Sequence, residues 1–336
     1  MNASRVARLC AFYALGDVVG EPREVRRGLV YRVWRLHTTR GLYEVKQFYP
    51  AFVREKSVLD DCRLTDRIAV EMARRGIPAV VPLVDVHGDM LCIVEDEVFQ
   101  VYAWVDGIRL SIEEAMPTQA HRVGQVLAQI HVQRFLFSEL PTPSWELLSY
   151  DELEMLAFQA ADRGVSWAQR VHTALPRLGE WSRRSVEAGV VLEKMLVVSH
   201  RSLDQQNVLW KDGQLLAIVD WDAAGLINPT MELVSVALMW SGLLVGMPQE
   251  ERFMALLEGY VAGGGVIDEA GYVVIDGVTG KWLAWLLFAM YRSLGELVLD
   301  EQEREQSGHE VLQVLTMLYA LDGHKKMWAE WIERYR

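Results

Sequence analysis

The segment from Val198 to Asp222 leaves this chain few ways to fold. It reads Val198-Ser-His-Arg-Ser-Leu-Asp-Gln-Gln-Asn-Val-Leu-Trp210, then Lys211-Asp212-Gly213, then an apolar run ending in Val219-Asp-Trp-Asp222. Two apolar runs around a short Asp-Gly turn predict a β-hairpin. Such a hairpin brings Asn207, ahead of its first strand, to the same end as Asp220, after its second. A polar cluster of His200, Asp204 and Asn207 therefore sits between apolar runs, and two carboxylates close the segment.

The rest of the chain divides around this segment. The N-terminus reads as a short helix. Residues 24–48 alternate as strands, with the turn Thr38-Thr-Arg-Gly41 and with Lys46 near the end of the second strand. Residues 54–75 carry a helical pattern closed by Gly76 and Pro78. Short strands are expected at Val80–Val86, Met90–Glu95 and Val98–Trp104, with a His87-Gly-Asp turn. Asp106-Gly107 then breaks the pattern. Val123, Val126, Leu127 and Ile130 mark an amphipathic helix. Further helices are expected at 151–162, 166–189, 230–244, 250–262, 281–298 and 308–334, with a loop at 138–150. The expected fold class is α+β with two lobes: a small β-rich N-lobe over 1–103 and a larger, mainly helical C-lobe over 104–336.

Composition narrows the partners. The 336 residues carry a formal net charge of -12. That charge disfavours nucleic acid or an anionic membrane; it is compatible with a cationic ligand, and solubility alone accounts for it equally simply. The three cysteines (Cys10, Cys62, Cys92) are scattered, as in reduced cytoplasmic proteins. The apolar stretch Trp282–Tyr291 is too short to span a bilayer. A cytoplasmic protein is expected, with no nucleic-acid or membrane partner; the sequence is silent on oligomeric state.

The polar residues fit phosphoryl transfer, which asks a protein mainly for positioning and charge. Lys46 is a strand lysine suited to holding phosphates, although an edge lysine facing water would look the same. Asn207 and Asp220 are oxygen ligands at one end of a hairpin, suited to Mg²⁺. His200 supports the loop. Asp222 either touches the metal or braces the loop. A carboxylate is needed to orient the incoming hydroxyl, and two residues after His200, in a loop of this kind, stands Ser202. Asp204 is the nearest substitute.

These residues resemble the aminoglycoside phosphotransferase family, a branch of the protein-kinase-like fold that includes choline, fructosamine and homoserine kinases. That family carries His-x-Asp-x-x-x-x-Asn, then an Ile-Asp-Trp-Glu-like strand end, then Gly, Pro and an acid before a helix. This chain has His200-Arg-Ser-Leu-Asp-Gln-Gln-Asn207, Val219-Asp-Trp-Asp222, Gly225, Pro229 and Glu232-Leu233. Val126-Leu-Ala-Gln-Ile-His131 and Gly76-Ile-Pro78 are similar to further family segments.

The resemblance implies an ATP-dependent small-molecule kinase using Mg²⁺. Gly28 would lie near the phosphates, with a plain hairpin turn the alternative. Asp66 would pair with Lys46, with Glu71 the alternative. Adenine would lie against 101–105, beside Tyr102 and Trp104. The acceptor would be a hydroxyl compound, an aminoglycoside or other amino sugar, met by acids such as Glu232, Asp300 or Glu301. Ser202 in place of the family's aspartate keeps two alternatives open. One is a catalytically impaired pseudokinase that binds nucleotide and acts as a binding or regulatory protein. The other is an interaction protein that binds none.

Overall fold

The computed structural model describes residues 1–336 apart from 29, 51, 54, 55, 136, 247 and 299, and only the backbone of 26, 27 and 244. The chain forms two compact units, Met1–Ile108 with Asn207–Ala224, and Arg109–Gln206 with Gly225–Arg336.

The first unit opens with α1 (Ala3–Phe12), whose first turn is capped by the Asn2 side chain accepting from the Arg5 N–H. A five-stranded antiparallel sheet follows, built from β1 (Arg23–Arg27), β2 (Tyr31–Thr38), β3 (Gly41–Phe48), β4 (Cys92–Val94) and β5 (Glu97–Ala103), in the order β1-β2-β3-β5-β4. Its α2 helix spans Lys56–Arg74; the expected positions 54 and 55 lie outside the described residues. Each sheet face carries its own core. Leu36, Val45, Phe99 and Val101 pack with α1, while Tyr31, Val33, Phe48 and Val98 pack towards Val58, Leu59 and Cys62 of α2. Lys46 lies two residues before Phe48 and opposite Val33, so strand alternation turns it to the α2 face.

The expected strand at Val80–Val86 does not form. Only single bridges occur, Ala79 with Ile218 and Pro82 with Tyr102. Pro78 and Pro82 lack the N–H groups that a ladder needs.

In the second unit α3 spans Pro117–His131, α4 Tyr150–Asp162 and α5 Ala168–Leu192, followed by the short strand β6 (Val197–Ser199). The chain then returns to the first unit for the hairpin β7 (Val208–Lys211) and β8 (Gln214–Ile218). The sequence division assigns this hairpin to the helical lobe. In the structure it packs with the first unit, where Ile218 bonds to Pro78 and Val80 at 2.7 and 2.8 Å and Trp210 exchanges two hydrogen bonds with Ile108. In the second unit β9 (Gly225–Ile227) pairs with β6. Then come α6 (Pro229–Ser241), α7 (Glu250–Ala262), α8 (Gly271–Ser293), α9 (Glu301–Gly323) and α10 (Lys325–Glu333).

Helix α8 begins ahead of the expected 281, and the long helix expected over 308–334 is two helices broken at His324. With 23 residues, α8 is long and apolar enough to cross a bilayer, unlike the stretch marked in the sequence; half of its most apolar window is buried within the protein. α3 and α7 pack closely: a Cβ added at Gly259 would lie 1.9 Å from the His121 carbonyl oxygen. Cys10 and Cys92 are buried and Cys62 is half-buried, all as free thiols.

Candidate active site

In the first unit Lys46 is only 2% exposed. Its Nζ donates to both Asp222 oxygens at 2.8 Å and to Asp220 Oδ1 at 3.2 Å. It also lies 4.2 Å from the Tyr31 ring centroid and 5.6 Å from that of Tyr102. Burial alone pulls a lysine pKa down; here Asp220 and Asp222 outweigh it and hold the ammonium well above its ordinary value.

Asp220 has a left-handed backbone, φ 66° and ψ 60°. Aspartate is among the few residues that adopt it at modest cost, and such strain collects at functional sites. The turn aims its side chain inward, where Oδ2 accepts from the Tyr31 hydroxyl at 2.6 Å. Asn207 closes the same end of the hairpin: its carbonyl accepts from the Val219 N–H at 3.0 Å, one residue before Asp220. Its side chain is buried. Lys46, Asn207 and Asp220, singled out by type and spacing, are thus gathered in one unit.

The acid expected to hold Lys46 from α2 does otherwise. Both Asp66 carboxylate oxygens accept from Gln100 Nε2, at 2.9 and 2.7 Å, and Asp222 occupies the lysine. Burial, then Asp222, push the Asp66 pKa up to about 7, against Lys46 and Gln100. The alternative, Glu71, makes an i,i+4 ion pair with Arg75. Gly28 donates its N–H to the Tyr31 carbonyl at 2.8 Å. The Tyr102 hydroxyl donates to Gln100 at 3.0 Å, while Trp104 lies under the Arg35 guanidinium.

In the second unit the loop after β6 is tied down from beneath. His200 is fully buried, and its Nδ1 accepts from the Ser202 N–H at 3.3 Å, a supporting role. Asp204 Oδ1 accepts from the Gln206 N–H at 2.9 Å. Glu232, wholly buried, accepts from the Arg201 N–H at 2.6 Å and bonds His131 Nε2 at 2.9 Å; His131 Nδ1 meets the Tyr260 hydroxyl at 2.8 Å. Burial pushes the Glu232 pKa up, but His131 and the Arg201 amide prevail and hold it below the usual carboxylate range. Glu232 is therefore a brace for the loop and unavailable to a cationic acceptor. Asp300 caps α9, and Glu301 pairs with Arg304.

The family model described as "Phosphotransferase enzyme family" matches residues 21–278. The chain belongs to that family.

No curated protein matches by sequence. Among solved structures, a spectinomycin phosphotransferase in complex with ADP and spectinomycin is similar at TM-score 0.71 and 12% identity, over 96% of this chain and 99% of that one. A choline kinase from Cryptosporidium parvum Iowa II is similar at TM-score 0.59 and 11% identity, over 99% and 100%. A macrolide 2'-phosphotransferase from Brachybacterium faecium is similar at TM-score 0.56 and 18% identity, over 92% and 97%. At these identities the likeness is one of fold, the protein-kinase-like fold read from the sequence. The sequence reading missed Asp222 as the main partner of Lys46, and it missed Tyr31 and the His131–Glu232 brace. The family segments ending at His131 and beginning at Glu232 carried a signal, but nothing local joins two residues separated by 101 positions.

Proposed function

We propose that this phosphotransferase-family chain transfers the terminal phosphoryl group of Mg-ATP to a small hydroxyl compound. The observation that carries the reading is the buried ammonium of Lys46 lying directly against Asp220. Within this reading Lys46 holds the non-transferred phosphates, and Tyr102 and Trp104 flank the adenine segment. The donor set fits the metal. Asn207 and Asp220 offer hard oxygens, and Mg²⁺ commonly takes one or two carboxylates and completes its shell with phosphates and water. Lys46 now supplies the positive charge that these carboxylates require. Bound there, Mg²⁺ would neutralise charge on the phosphates.

His200 and Glu232 fix the loop, Ser202 marks the hydroxyl-orienting position, and Asp204 is the nearby loop carboxylate that would take the proton. The free cysteines accord with a reducing cytoplasm.

Thermal unfolding with Mg-ADP tests nucleotide binding: at about 100 times Kd the gain is about 2.7 kcal/mol. No gain in the chain as it stands, or an equal gain in Lys46→Met, defeats the proposal. Ser202 supports a second reading, a nucleotide-binding pseudokinase, because serine is neutral and its loop is otherwise intact. If Asp204→Asn abolishes a measured turnover, Asp204 has taken the role. If turnover is absent and Ser202→Asp creates it, the pseudokinase reading holds.

A further inference from the structure

Arg201 immediately precedes Ser202 and has a left-handed backbone, φ 66°. For a long side chain this conformation is uncommon and persists only where neighbours impose it. Both sides of the residue are held. Its N–H donates to Glu232 Oε1 at 2.6 Å, and its carbonyl accepts from Lys281 Nζ at 3.0 Å. Its side chain is exposed and passes Gly225, where an added Cβ would lie 2.9 Å from Nη1. Among the described residues no carboxylate lies within ion-pair distance of the guanidinium. Lys281 is half-buried and, among the described residues, bonds neutral oxygens, the Arg201 carbonyl and Ser235 Oγ at 3.3 Å. Burial, then Arg201, pull its pKa down, and Glu232 and Asp204 offset this only in part.

Two acids face this pair. Glu232 is enclosed and committed to His131 and the Arg201 amide, and Asp204 accepts from the Gln206 N–H. Ser202 adds no charge. A chain with an excess of acids thus keeps two cations beside its loop without a carboxylate in contact with either.

We infer that Arg201, with Lys281 behind it, forms an oxyanion-binding site, and that the hydroxyl acceptor carries a carboxylate or phosphate rather than an amine. A guanidinium presents a planar fork that matches either group. The second half of the inference rests on the phosphotransferase reading; the anion site does not.

The test uses Lys46→Met as background, so that the other phosphate-binding cation is removed. Inorganic phosphate, glucose 6-phosphate, citrate, spectinomycin and choline are titrated calorimetrically. The oxyanions bind, and Arg201→Asn, which suits left-handed backbone, weakens them about tenfold or more, the equivalent of one charge-assisted hydrogen bond. Arg201→Lys retains part of the affinity, and Lys281→Met loses less than Arg201→Asn. Binding of glucose 6-phosphate without citrate assigns the phosphate; binding of both assigns a general oxyanion site. Absent oxyanion binding, binding unmoved in Arg201→Asn, or tighter binding of spectinomycin or choline overturns the inference. Mg-ADP titrated into the unaltered chain reports separately on the nucleotide reading.

Discussion

Lys46 is a buried charge, and burial makes its counter-ions decisive. Removing one acid leaves the ammonium only part of its compensation, and because Asp222 is partly exposed and Asp220 remains, the cost is smaller than that of breaking a fully buried pair. Asp222 contacts the ammonium through both oxygens and Asp220 through one. Asp222→Asn should therefore lower both the melting temperature and the affinity for Mg-ADP, the latter about tenfold. Asp66→Asn should leave that affinity within about threefold; calorimetric titration of both variants checks the pair. Asp66 also has a pH signature. Its folded pKa, about 7, lies above the ordinary 3.8, so the folded state holds its proton more tightly. Stability from this group is complete below pH 4 and is lost as pH rises towards 7. Asp66→Asn should remove that loss, gaining on the unaltered chain by on the order of 2 kcal/mol between pH 4 and 7 in urea unfolding. Lys46, Asn207 and Asp220 were legible because each sits in a local pattern. The choice between Asp66 and Asp222 was not, because it depends on Gln100, which shares the α2 face of the sheet and takes up Asp66.

At the scale of elements, the loop before the hairpin owes its shape to helices distant in sequence. His131 at the end of α3 holds Glu232 in α6, which holds the Arg201 amide. His131→Ala strands a buried carboxylate and should cost about 3 kcal/mol. Turnover should fall while Mg-ADP affinity stays near its starting value, since the residues proposed for the nucleotide lie in the other unit. A fall in both to the same degree would contradict this division of labour. Gly259 offers a simpler test. A methyl group there meets the His121 carbonyl at 1.9 Å, a backbone atom that cannot swing away. Gly259→Ala should destabilise by about 1–3 kcal/mol in thermal unfolding. The start of α8 was hidden for a related reason. Its first turns, Gly271-Tyr-Val-Val-Ile-Asp-Gly-Val-Thr-Gly280, are rich in glycine and β-branched residues, and packing against neighbouring helices overrides their weak propensity.

Across the whole molecule, the chain crosses between its two units after 108, 206 and 224. Neither unit is one continuous stretch. A fragment ending at Ile108 would keep Lys46 but lose Asp220 and Asp222, leaving an ammonium buried among Tyr31, Phe48 and Tyr102. It should lack a cooperative melting transition and give no Mg-ADP response, as near-ultraviolet dichroism and calorimetry would report. The three cysteines carry a practical corollary. Cys10 and Cys92 are enclosed in the sheet core, and burial pushes the half-exposed Cys62 thiol up to about 12, leaving little thiolate at neutral pH. A maleimide dye should thus ignore the native thiols, and a single cysteine installed on the surface would accept a fluorophore cleanly.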